Sequence, residues 1–321
     1  MKAWLLWALC CLIPCTASAG QQTDGRFWLE RMVRAAHKLD YTGTFVVQHA
    51  AFSETSRIVH LVEGGRELER IEVLDGAPRE VVRSDDEVKC YLPDSSTLIV
   101  ENRGQQRSFP ALAPTALAEL GEHYVVRKGP LLRVAERESQ AILLEPRDEL
   151  RYGRQFWADT TSGLLLKAAL VNERGETIES VTFTQLQIGG AIDRETLKSR
   201  YAVASHDWQV RNARTTPSRG EDAAWLFKTV LPGFSKRAGM LRGPRELPRS
   251  MHLIFSDGVA AISVFIERLG AQDDRGEVGM LTMGATNVYK RIVDGHLIVL
   301  MGEVPQATLK MFGDGIEARK R

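Results

Sequence analysis

The sequence predicts an α+β protein: a large, strongly curved antiparallel sheet or open barrel, then a smaller α+β unit. Three observations carry the prediction. An amphipathic helical run at residues 26–39 is followed, up to residue 188, by a long series of strand-like runs divided by turn dipeptides. Few helical stretches interrupt that series, which is the pattern of an antiparallel sheet that curls on itself. Near Ser205 the composition turns polar, and a second unit of ordinary domain size, about 100 residues, begins beyond it.

The chain opens with "MKAWLLWALCCLIPCTASAG". Lys2 supplies a positive charge, residues 3–13 an apolar stretch, and Ala17-Ser18-Ala19 a small-residue cleavage site. That is a secretory signal, too short to span a bilayer stably. Residues 1–19 are therefore read as signal peptide, with an exported mature chain starting at Gly20. The rival is a lipid-anchored cysteine. Cys15 follows Pro14 and Cys11 follows Cys10, neither of which is the small residue such a site wants. Cys10, Cys11 and Cys15 leave with the signal, so Cys90 remains and cannot form an intramolecular disulfide. Loss of Lys2 brings the formal net charge from +1 to zero, which leaves no global basic field to recruit nucleic acid.

In residues 26–39, "RFWLERMVRAAHKL", Trp28, Met32, Ala35 and Leu39 fall on one helical face. In the next stretch, "LDYTGTFVVQHA", Tyr41, Gly43, Phe45 and Val47 share one face of a strand. A glycine weakens a strand, so Gly43 implies that a helix or a bulge comes close there. Gly64-Gly65 marks a hairpin, and a proline opens a short helix at residues 114–120. "HYVVRK" and "LLRVAER" read as separate strands. In "GLLLKAALV", Leu164, Leu166, Ala168 and Leu170 share a face opposite Lys167. Parity changes between Phe183 and Leu186, which predicts a bulge.

The predicted division is a barrel domain at residues 20–204, a linker at 205–222 ("SHDWQVRNARTTPSRGED") and a small α+β domain at 223–321. The small domain is expected to begin with a helix, "AAWLFKTVLPGF", stopped by Pro232-Gly233. Strands follow around residues 251–255, 260–268, 279–283, 287–293 and 296–301, with a helix after Pro305.

The search for chemistry yields exclusions. No nucleophile elbow, zinc-protease motif, phosphate loop or dinucleotide fingerprint is present. The seven histidines show no i, i+4 pair, and one mature cysteine cannot build a paired-cysteine zinc site. Asp85-Asp86-Glu87 reads as a charged hairpin turn, and Cys90 as a buried small hydrophobe. No catalytic residue, metal ligand or cofactor is assigned. What remains is an exported protein whose strands carry Tyr41, Phe45, Val47, Trp157, Leu164 and Leu166. These could wall a cavity for an acyl chain, since such pockets are concave and mainly apolar. The alternative is a closed core under a helix.

"LDYTGTFVVQH", "RYGRQFWADTTSGLLLKAALVNERGETIESVTFTQLQI", the Pro-containing linker, "AGMLRG" and "HLIFSDGVAAISVFIE" together resemble the MucB/RseB family along nearly the whole chain. These are periplasmic regulators of an envelope-stress sigma factor. The resemblance implies a large domain similar to the lipoprotein carriers LolA and LolB, an unclosed β-barrel with helices plugging its mouth. It implies an adaptor without a catalytic site, which binds the periplasmic part of a membrane-spanning anti-sigma factor and shields it from the site-one protease. A lipid-type signal, such as mislocalised lipopolysaccharide, displaces it. Dimers or higher oligomers in the unbound state are also implied.

Under that resemblance Tyr41, Phe45 and Val47 face the concave interior. The partner site is expected on the second domain and linker around Arg211, Arg214, Trp225 and Phe227, because Trp and Arg dominate interface energetics. Trp225 and Phe227 can equally be core anchors of the second domain. A different function class, a periplasmic lipid or lipoprotein carrier, also stays open at this point. The linker and second unit discriminate the two, because a minimal carrier needs only the barrel.

Overall fold

The computed structural model describes residues 17–50, 52–84, 87–102, 120–218, 220–242, 250–270 and 278–320. The hydrophobic part of the predicted signal and most of the helix expected at 114–120 lie outside these, as do Asp85 and Asp86.

Helix α1 (Ala17–Ala36) precedes the large sheet. Its buried face is Leu29, Met32, Val33, Ala35 and Ala36, rotated from the predicted one. Trp28 is only half-buried, with the Arg31 guanidinium 4.9 Å from its ring. The helix ends at Ala36 rather than Leu39; the Lys38 and Leu39 amides close on the Ala35 carbonyl.

Six strands follow: β1 (Tyr41–His49), β2 (Phe52–Glu63), β3 (Arg66–Val73), β4 (Glu80–Ser84), β5 (Glu87–Leu92) and β6 (Thr97–Asn102). After the one-turn helix α2 (Leu120–His123) come β7 (Tyr124–Val134), β8 (Arg137–Pro146), β9 (Gly153–Asp159), β10 (Leu165–Val171) and β11 (Thr177–Ile188). β12 (Gln209–Asn212) completes a 12-stranded sheet ordered β12-β6-β5-β4-β3-β2-β1-β11-β10-β9-β8-β7. The sheet is unclosed, with β12 and β7 as its edges. "HYVVRK" and "LLRVAER" are one strand, β7, because a register shift between Lys128 and Leu131 absorbs Gly129-Pro130 without ending the ladder.

The glycine of β1 answers to a bulge. Phe45 pairs with Phe183 and Thr44 with Gln185, so Thr184 is the extra residue, as the change of parity predicts. A Cβ on Gly43 would lie 2.6 Å from the Gln185 carbonyl oxygen and 2.9 Å from the Phe183 ring. Only glycine leaves that ring room to pack edge-on against Phe45, at 5.9 Å between centroids. At the β2–β3 hairpin Gly64 and Gly65 both take positive φ, +59° and +80°, which suits the right-handed twist of paired strands.

The smaller sheet contains β13 (Thr216–Pro217), β15 (Ser235–Arg242), β16 (Ser250–Ser256), β17 (Ala261–Arg268), β18 (Gly279–Met283), β19 (Thr286–Val293) and β20 (His296–Gly302). Its order is β13-β15-β16-β17-β20-β19-β18. Helix α3 (Gln306–Asp314) buries Leu309 and Phe312 against Leu253, Ile262, Val264, Ile298 and Leu300. The helix expected at "AAWLFKTVLPGF" is not formed. Those residues make a 3-10 turn, Glu221–Ala224, then strand β14 (Trp225–Phe227), paired antiparallel with β21 (Ile316–Ala318). The reason is spacing. Trp225 and Phe227 both enter the core, and positions i and i+2 share a face in a strand but diverge in a helix.

Residues 205–222 are more than a connection: they carry an edge strand for each sheet, β12 parallel to β6 and β13 antiparallel to β15.

Candidate functional site

The two domains meet in a polar seam that the local sequence pattern does not announce. The β8–β9 loop points Arg151 into the small domain, where its side chain is fully buried. Its Nη1 donates to Asp257 Oδ2 at 2.6 Å, and its Nη2 donates to the Pro232 carbonyl at 2.6 Å. Nε and Nη2 each donate to an Asp148 carboxylate oxygen at 3.0 Å. The rings of Tyr124 and Phe234 flank the guanidinium, with centroids 5.6 and 5.0 Å from its central carbon.

Asp257 sits in the β16–β17 turn, "SDG", where Gly258 takes φ +97°. Its Oδ1 accepts the Val259 and Ala260 amides at 2.8 and 2.7 Å, and its Oδ2 also accepts the Tyr124 hydroxyl at 2.9 Å. Burial first, then the Asp257 charge, pushes the Tyr124 hydroxyl well above the ordinary phenol range, so it stays a donor. The same turn inserts Val259 among Leu29, Met32, Tyr124 and Phe156, the apolar cluster beneath α1. The small domain thus fills part of the large domain's own core.

A second patch lies along one cross-strand rung of the large sheet. Arg154 opposes Leu170, Leu170 opposes Glu179, and Glu179 opposes His49. Arg154 Nη2 donates to Glu303 Oε2 of the small domain at 2.6 Å. Leu170 packs with Tyr152 and the small domain's Ala285, and Gly284 lies directly against the His49 ring. The Asn287 amide bonds the Tyr152 hydroxyl at 3.0 Å and the Val304 carbonyl at 2.8 Å. A groove of about 820 Å³ opens beside this rung, between Glu145, Arg154 and Arg174 on one side and Pro305 and Ala307 on the other.

The candidate cavity residues are all packed against protein. Tyr41, Phe45 and Leu164 share one cluster with Ala35, Ile58 and Phe183, and Val47 borders it half-buried. Trp157 and Leu166 lie in another, with Val134, Ala141 and Ala169. Leu164 and Leu166 do not share a wall, because the register shifts between Leu165 and Lys167 and turns Leu166 into a different cluster. The Lys167 ammonium lies 4.8 Å from the Trp157 ring centroid. None of the six lines the groove at the seam.

Of the candidate partner residues, Arg211 is exposed on β12 and Arg214, also exposed, is ion-paired with Glu87. Trp225 and Phe227 are core residues of the small domain, beside His296 and between Phe255 and Phe312. Cys90 is half-buried on β5, and burial pushes its thiol up. Arg151, Tyr124, Asp257, Arg154 and Glu303 were not singled out from sequence. Their signal was present only indirectly, since Arg151, Arg154 and Asp257 fall inside stretches that carry the family resemblance.

That seam joins two units with separate matches. The family described as MucB/RseB N-terminal domain matches residues 24–201, and MucB/RseB C-terminal domain matches residues 219–317. The chain belongs to the MucB/RseB family. The sigma factor AlgU regulatory protein MucB of Pseudomonas aeruginosa is 33% identical over 298 residues, covering 90% of each chain. The sigma-E factor regulatory protein RseB of Escherichia coli K12 is 26% identical over 295 residues, 90% of this chain and 89% of that one. A crystal structure of MucB in complex with MucA(peri) superposes with TM-score 0.69 at 29% identity, covering 94% of this chain and all of that one. A Pseudomonas aeruginosa MucA/MucB complex gives TM-score 0.70 over 93% of this chain. Among the described residues no helix is long and apolar enough to cross a membrane.

Proposed function

We infer that this chain is a periplasmic regulator of an envelope-stress sigma factor. It binds the periplasmic part of a membrane-spanning anti-sigma factor and shields it from site-one proteolysis. A lipid-type signal releases it. The observation that carries the reading is likeness over both domains to a MucB solved with MucA(peri). The buried Arg151–Asp257 pair favours it over a periplasmic lipid or lipoprotein carrier, because here the barrel is completed by the second domain. The role is adaptor, not catalyst.

Within this reading Arg211 and Arg214 make the partner contact from the exposed linker, and Trp225 and Phe227 hold the fold behind it. The lipid signal acts where Ala35 of α1 packs with Tyr41, Phe45 and Leu164, beside Val47, with Trp157 and Leu166 in the neighbouring cluster; an acyl chain there displaces side chains that now pack on one another. Dimers or higher oligomers form in the unbound state. A pull-down with the periplasmic segment of the cognate anti-sigma factor tests the core of the proposal. Retention of that segment, reversed by lipopolysaccharide, is the expected result. Retention of an acylated protein in its place would make the chain a carrier.

A further inference from the structure

The rung Arg154–Leu170–Glu179–His49 does more than seat the small domain. It brings two carboxylates of different domains to one arginine. Glu303 of the small domain is bonded to Arg154, and Glu179 stands two strands from Arg154 on the same face. His49 is Glu179's direct neighbour on the other side and carries the Gly284 turn of the small domain on its ring. The flanking β10 position, Leu170, is apolar, and so is Ala285 opposite it. Among the described residues, Arg154, Glu303 and His49 are therefore the charged and titratable groups that face Glu179. A groove of about 370 Å³, lined by His49, Phe52 and Glu179 among others, gives solvent protons access.

We propose that this rung makes the joint between the domains proton-sensitive, with a proton on Glu179 tightening the seat of the small domain. Burial beneath the small domain, then repulsion from Glu303, raises the Glu179 carboxyl above the ordinary glutamate range, while Arg154 and His49 oppose the rise. If the small domain lifts, both raising influences vanish. The docked form thus holds the proton more tightly than the lifted form, and docking is linked to proton uptake. The gain is fully present below the ordinary glutamate value and is lost as pH rises through the raised one. The joint tightens in acid solution and loosens toward neutrality.

Hydrogen exchange of the full mature chain tests this, with rates divided by the intrinsic chemical rate at each pH. Protection of the β18–β19 turn and of the β8–β9 loop is expected to rise severalfold between about pH 7.5 and about pH 4.3, the ordinary glutamate value, with β17 in the small domain's core unchanged. Glu179→Gln, which mimics the protonated acid, should show the acid level of protection at both pH values. If it misfolds, Glu303→Gln serves: it removes the like charge, leaves Arg154 to Glu179, and should shrink the rise without abolishing it, because burial remains. His49→Asn should keep a rise. A flat wild-type profile, an equal rise in β17, or a rise that survives Glu179→Gln would overturn the proposal. So would loss of the rise in His49→Asn alone.

Discussion

Arg151 and Asp257 meet at 2.6 Å with both side chains wholly excluded from water, although 106 residues separate them in the chain. A buried charge that loses its partner keeps its full desolvation cost, so breaking such a pair is far more damaging than never having built it.

Arg151→Met is therefore expected to destabilise the protein by about 3–5 kcal/mol, measured by urea denaturation. Arg151→Lys should recover only part of this, because one ammonium cannot serve Asp257, Asp148 and the Pro232 carbonyl in the geometry of the guanidinium fork. A loss under about 0.5 kcal/mol, the level of an ordinary surface change, would show that the pair is not holding the seam.

Gly43→Ala sets a small gain in the unfolded state against a steric clash. Restricting the unfolded chain is worth about 0.4–1 kcal/mol, while overpacking costs about 1–3. The clash is with a backbone carbonyl as well as the Phe183 ring, so it cannot relax by a side-chain rotation alone. A lower thermal midpoint is expected.

Arg211→Ala and Trp225→Ala separate contact from support. Arg211 is exposed, so its loss should change stability by no more than about 0.5 kcal/mol while weakening capture of the anti-sigma fragment. Trp225 is buried, so its truncation should cost about 3–5 kcal/mol and impair binding only through unfolding. Calorimetry on both variants, beside their unfolding curves, makes the distinction.

The Cys90 thiol is pushed up chiefly by burial, which leaves less thiolate at any given pH. Alkylation by iodoacetamide at neutral pH should be slower than that of a free cysteine and should accelerate only at higher pH than usual. Unfolding in urea should abolish the difference.

Local signals were legible and distant ones were not. The bulge at Thr184 could be read because an apolar face switches parity within four residues, and the Gly64-Gly65 turn because positive φ selects glycine. The bulge at Leu166 stayed hidden because Leu164, Leu165 and Leu166 are all apolar, so a slipped register leaves the pattern intact. Strand β14 reads locally as a helix because its partner, β21, lies at the far end of the chain. The seam was illegible for the same reason. Arg151 and Asp257 each look like ordinary loop residues until the fold brings them together.

The linker has a mechanical consequence. Only residues 213–215 lie between β12, zipped to the large sheet, and β13, zipped to the small one. Three residues span at most about 11 Å, so the hinge is a short leash. The small domain can rock on the rung, but it cannot swing clear until β12 peels from β6 or β13 from β15. Any pull on the small domain therefore loads four residue pairs of a parallel ladder at one edge and two of an antiparallel ladder at the other. The shorter ladder is the weaker clasp, and β13 should let go first.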